Sequence, residues 1–77
     1  MPNTTYALPY GWEIADTDAD GLPIAVEDRW TLTTYVVEWS GHDWMITDVR
    51  DGVSLAASQL MVACDRIADR TARIYGH

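Results

Sequence analysis

The segment 30–50 constrains the fold more than any other part of the chain. Residues 30–40 (WTLTTYVVEWS) are rich in β-branched and aromatic side chains, which lose little by being held extended, and they predict a strand. Gly41 and His42 come next and fit the central positions of a type II′ turn, where glycine supplies the positive φ. A two-residue loop pairs Ser40 with Asp43. It thereby sets Trp39 opposite Trp44, Val37 opposite Ile46 and Tyr35 opposite Asp48. One face of this hairpin carries Tyr35, Val37, Trp39, Trp44 and Ile46 and predicts a core. The other carries Leu32, Thr34, Val36, Glu38, Met45, Thr47 and Val49, a mixture that leaves open what covers it.

The flanking segments fit around this hairpin. Residues 11–16 (GWEIAD) alternate and predict a short strand, the DTDADG run predicts a turn, and 22–27 predicts a second strand confined to an edge or a short length by Pro23. Residues 1–9, with Pro2 and Pro9, read as an irregular arm. Ser54 is placed to cap a helix over 55–75. Its apolar stripe is Leu60, Met61, Cys64, Ile67, Ala68, Thr71, Ile74 and Tyr75, and Gly76 ends it. The expected fold is α+β in β-β-β-β-α order. A three- or four-stranded antiparallel sheet spans 10–50, and one long C-terminal helix over 54–75 packs on its tryptophan face. With 77 residues, the expectation is one small domain over 1–77.

Charge is unevenly spread. Twelve acids face five bases, all arginine. Residues 1–52 hold ten of the acids with only Arg29 and Arg50, a formal charge of −8, whereas the last 25 residues come to about +1. A surface this negative repels phosphate and anionic lipid, so direct nucleic-acid and membrane binding are not expected, while a basic protein surface or a cation is favoured. No signal peptide or membrane span is evident, and a cytoplasmic protein is expected.

One segment matches a chemical template. Residues 16–27 (DTDADGLPIAVE) satisfy D-x-D-x-D-G-x5-E at every specified position, and in this stretch the sequence resembles an EF-hand calcium loop. The resemblance implies Ca²⁺ ligation by Asp16, Asp18, Asp20, the carbonyl of Leu22, and Glu27. It covers 12 residues and stops at both ends: helices are not expected on either side, and Pro23 holds the eighth loop position. The alternative is an acidic hairpin turn whose aspartates cap their own backbone.

Catalytic chemistry is not expected. Cys64 lies in an apolar helical pattern, His42 in a turn and His77 at the last position, and no nucleophile–base set is present. Four tryptophans are many for this length; Trp12 and Trp30 fit either the core or a contact surface. These features predict a non-enzymatic interaction domain that binds a basic protein surface, in the manner of small phage-type inhibitors or nucleic-acid mimics. The expected contact residues are Glu13, Asp16, Asp18, Asp20, Glu27, Asp28 and Glu38, with Trp12 and Trp30 as apolar anchors. The other readings are a small calcium-binding module on 16–27 and a homodimer joined through Leu32, Val36, Met45 and Val49.

Overall fold

The computed structural model describes residues 6–76. Five strands run in sequence order, β1 (Trp12–Thr17), β2 (Pro23–Asp28), β3 (Thr33–Trp39), β4 (Trp44–Asp48) and β5 (Val53–Ala57), followed by helix α1 (Leu60–Tyr75). The strands form one antiparallel meander in the order β1-β2-β3-β4-β5. The fold is α+β as expected, with more strands than the three or four expected.

The additional strand corrects the reading of 53–59. Ser54 does not cap a helix; it lies in β5 opposite Thr47, and their hydroxyls are 2.6 Å apart. Val53, Leu55 and Ala57 alternate with period two and face Asp48, Ile46 and Trp44. The same residues also fit a helical apolar pattern, so periodicity alone could not separate the two. The helix therefore starts at Leu60, with Gln59 in the N-cap position making no side-chain cap bond. Gly76 ends it in a left-handed conformation, its N–H donating to the carbonyl of Ala72.

Register fixes the two faces. On the inner face, Ile14, Val26 and Tyr35 form one row, Val37, Ile46 and Leu55 a second, and Trp39, Trp44 and Ala57 a third. The expected pairs Trp39–Trp44 and Val37–Ile46 are present. Helix α1 packs over this face against β4 and β5, burying Leu60, Ala63, Cys64, Ile67 and Thr71. The core unites Val26, Tyr35, Val37, Trp44 and Ile46 with the helical Leu60, Ala63, Cys64 and Ile67. Each large apolar side chain buried there contributes about 1.5–3 kcal/mol. The Tyr35 hydroxyl meets Thr71 Oγ1 at 2.8 Å, so the phenol is buried without losing its hydrogen bond. Of the expected helix stripe, Ile74 and Tyr75 are exposed rather than part of the core.

The irregular arm is expected over 1–9; residues 1–5 lie outside the described residues. Among the rest, Tyr6 and Leu8 pack against the core, and the Tyr6 ring meets Trp44 edge-on at 5.8 Å. No helix among the described residues is long and apolar enough to cross a membrane.

Candidate interaction surface

The hairpin connections explain where many of the aspartates go. In the β1–β2 turn, Asp18 Oδ1 accepts the N–H groups of Asp20 and Leu22, and the Leu22 carbonyl accepts the N–H of Asp18. In the β2–β3 turn, Asp28 Oδ1 accepts the N–H of Trp30, and in the β4–β5 turn Asp48 Oδ1 accepts that of Arg50. Each of these is an aspartate closing the backbone two residues ahead, which suits the residue to turns. Asp28 and Asp48 are both buried. A count of formal charge thus overstates the acidity of the surface.

The residues of the calcium template are held accordingly. Asp16 is opposite Ala25 across a β-bulge, Glu27 is in β2 opposite Glu13, and Asp18 and Leu22 are engaged with each other's backbone. Among the described residues, no three acidic, histidine or cysteine side chains are grouped to hold a metal ion.

The outer sheet face is the one the helix leaves open. A full row crosses all five strands: Asp16, Ala25, Val36, Thr47 and Ser54. On one side of it lies the row Glu13, Glu27 and Thr34, and on the other the row Glu38, Met45 and Ala56. Four carboxylates therefore frame a centre of small, hydroxyl and aliphatic side chains. Glu13 and Glu27 face each other directly, a repulsive arrangement. Arg29 relieves it, with its guanidinium 2.9 Å from Glu13 and 3.6 Å from Glu27. Glu38 and Asp16 are exposed and have no ion-pair partner among the described residues.

The two anchor tryptophans separate. Trp12 is half-buried on the inner face, stacked on Tyr35 at 5.5 Å with 15° between the planes, and packs against the core. Trp30 is 70% exposed beside Tyr10, which is 88% exposed, and Leu32, which is 72% exposed. Trp30 Nε1 donates to the Tyr10 carbonyl at 2.9 Å, and the two rings lie 5.8 Å apart. Gly11 makes this possible: a Cβ there would sit 2.1 Å from Trp30 Nε1. Of the proposed dimer residues, Val36 and Met45 are on the outer face, whereas Leu32 and Val49 lie in turns.

A second cluster, absent from the sequence reading, joins the β4–β5 turn to the helix. Arg50 grips Asp48 through Nε at 3.0 Å and Nη2 at 2.8 Å, and its guanidinium lies 3.9 Å from the centre of the Tyr75 ring. Arg70 pairs with Asp51, and Tyr75 donates to the same carboxylate at 3.0 Å. The Arg50 hydrogen bonds hold the Asp48 carboxyl below its ordinary range, and the Arg70 hydrogen bond does the same for Asp51. These charges answer one another within the chain. The available signal was the recurrence of Asp48, Arg50 and Asp51 before a glycine, but their partners are about 20 residues away in sequence.

Cys64 is buried, and burial pushes its thiol pKa up to about 12, so it serves as core. A shallow cavity of about 350 Å³ lies between Tyr6, Trp44 and the start of the helix at Gln59, Leu60 and Met61. Comparison with family models, with curated proteins and with solved structures finds no match, so the surface is read from its own chemistry.

Proposed function

We propose that this protein is a non-enzymatic interaction domain that offers the open face of its sheet to a basic protein surface. The observation that carries this reading is the frame of Glu13, Asp16, Glu27 and Glu38 around a row of small side chains on the one sheet face that the helix leaves bare. Such a face suits a cationic partner electrostatically and has few bulky groups to obstruct docking. Asp18 and Asp20 extend the negative field at the β1–β2 turn. An inhibitor that occupies a nucleic-acid-binding surface by carboxylate mimicry of phosphate is the finer form of this proposal, and the charge framing favours it.

The other two readings have less behind them. A second copy docked through this face would bring its glutamates against the first set, at a cost that salt only partly screens. For calcium binding on 16–27, Asp18 Oδ1 and the Leu22 carbonyl already accept backbone N–H groups in the turn, and among the described residues no three metal-binding side chains are grouped.

The test is chemical-shift mapping of the ¹⁵N-labelled protein with a deca-arginine peptide. The expected result is a salt-sensitive set of shifts on β1, β2 and β3, including Glu13, Glu27, Val36 and Glu38. Shifts spread evenly over the acidic turns and the helix would overturn the reading.

A further inference from the structure

The β2–β3 turn departs from the rest of the molecule in a way that its neighbour, the β4–β5 turn, makes measurable. Both turns start from a buried aspartate whose Oδ1 accepts the amide two residues on. In both, the fourth residue after the aspartate has a positive φ, 73° at Gly52 and 57° at Leu32. Gly52 occupies that region without steric cost. Leu32 has a branched side chain held where L-residues clash with their own backbone, and it is the one non-glycine residue with positive φ among the described residues. Nothing apolar rewards the strain, because the Leu32 side chain is 72% exposed.

Leu32 shares this turn with Trp30, which is held against Tyr10 by its indole hydrogen bond and by the absence of a side chain on Gly11. Tyr10 and Trp30 are therefore a fixed aromatic pair, with the exposed Leu32 two residues on in the same turn, at the end of the sheet where Glu13 and Glu27 lie, since Trp12 and Thr33 both pair with Asp28 there. Backbone strain retained at an exposed position points to a function that the strained residue serves. The neighbouring carboxylates select the ligand. An arginine or lysine side chain has an apolar stem to lie along Leu32, a cationic head attracted to the faces of Trp30 and Tyr10, and a charge that suits Glu13 and Glu27, two carboxylates that share the single guanidinium of Arg29.

We infer that Tyr10, Trp30 and Leu32 form a seat for an arginine or lysine side chain of the basic partner. This inference rests on the interaction reading above and specifies where that partner is anchored. It predicts that the aromatic rings contribute as π-faces, beyond their apolar area.

The experiment uses the full chain with deca-arginine and with a deca-citrulline control, following the tryptophan indole N–H signals and the affinity. The expected result is that the Trp30 indole signal moves with the arginine peptide and not with citrulline. Tyr10→Leu and Trp30→Leu, which keep apolar bulk but remove the ring, should each weaken binding about 2- to 5-fold. Tyr10→Leu keeps the carbonyl that receives the indole bond, so it guards against loss of the local fold. Leu32→Gly should weaken binding while raising the melting temperature. An unmoved Trp30 signal, or full affinity in both ring variants while the sheet face still responds, would overturn the seat and leave the interaction reading standing. A moving Trp30 signal with a silent sheet face would keep the seat and remove the face. No response at either place ends both. Sedimentation of the wild type distinguishes a second copy: concentration-dependent dimers lost in Trp30→Leu would also overturn the seat.

Discussion

The β2–β3 and β4–β5 turns are one backbone device filled in two ways. Each has a buried aspartate gripping the amide two residues on and a left-handed residue four places after it. In the β4–β5 turn the residue two on is Arg50, which returns to the aspartate, while Arg70 and Tyr75 from the helix close over Asp51. In the β2–β3 turn the equivalent residue is Trp30, which points outward beside Tyr10, and the left-handed residue is leucine. The β4–β5 turn adds a Gly52 N–H bond to the Asp48 carbonyl at 2.8 Å, and the larger difference lies in the side chains. One set satisfies its own charges and ties sheet to helix; the other leaves rings and carboxylates facing solvent. Charge answered between sheet and helix belongs to stability, and exposed rings beside solvent-accessible carboxylates belong to recognition.

The largest effect that sharpens this comparison is removal of the two anchors. Asp48→Ala strips a buried carboxylate from Arg50 and Arg70 and should cost about 3 kcal/mol. A domain of this length has a total stability of about 4–11 kcal/mol. Asp28→Ala loses a turn hydrogen bond without an ion pair and should cost about 1–2 kcal/mol. Urea unfolding followed by tryptophan fluorescence checks both, and equal losses would break the contrast.

Acid should act on the same turn. Asp48 and Asp51 have folded-state pKa values held below the ordinary 3.8, so their pairing stabilises at neutral pH and is lost as pH falls through and below that value. Stability measured from pH 6 to pH 2 should drop in the wild type below about pH 4, and less steeply in Asp51→Asn.

Exchanging the left-handed residues tests the backbone side of the comparison. Leu32→Gly should stabilise by about 0.5–1 kcal/mol through relief of steric strain, offset in part by the freedom glycine adds to the unfolded chain. Gly52→Ala should destabilise by about 1 kcal/mol, wholly through its φ of 73°, since a Cβ there meets nothing within 4 Å. Thermal melts of the pair check the sign; a destabilised Leu32→Gly would remove the argument from strain.

Arg29→Ala should have the smallest effect, about 0.5 kcal/mol, because the pairs it makes with Glu13 and Glu27 are solvent-accessible. The loss should shrink in 1 M salt, as both the lost attraction and the unmasked repulsion are screened.

The extent to which this was legible in the sequence follows the range of the interactions. The β3–β4 hairpin and its face assignment could be read because Gly41 and His42 fix register locally, and the helix stripe Leu60, Cys64, Ile67 and Thr71 because its spacing is regular. β5 was hidden because 53–57 fits two periodicities, and only pairing with β4 decides between them. Asp28 is expected at the contact surface but closes a turn, as Asp48 does, whereas the turn-closing role of Asp18 is the alternative that the DTDADG run itself offers; composition cannot distinguish a carboxylate that accepts from its own backbone from one that faces solvent. Glu13, Glu27, Glu38 and Trp30 do lie exposed or half-exposed as the sequence suggested, whereas Asp28 is buried and Trp12 stacks on Tyr35. Tyr10 escaped notice because its partner is 20 residues further along the chain.

The central claim is that carboxylates on the open face, rather than net charge, direct binding. Two variants matched in charge test it: Glu13→Gln with Glu27→Gln and Glu38→Gln on the face, and Asp43→Asn with Asp65→Asn and Asp69→Asn away from it. Each set raises the formal net charge from −7 to −4. Titrated with deca-arginine at about 0.15 M salt, where the Debye length is about 8 Å, the face variant should lose at least about tenfold more affinity than the other. Equal losses in the two variants would contradict the account.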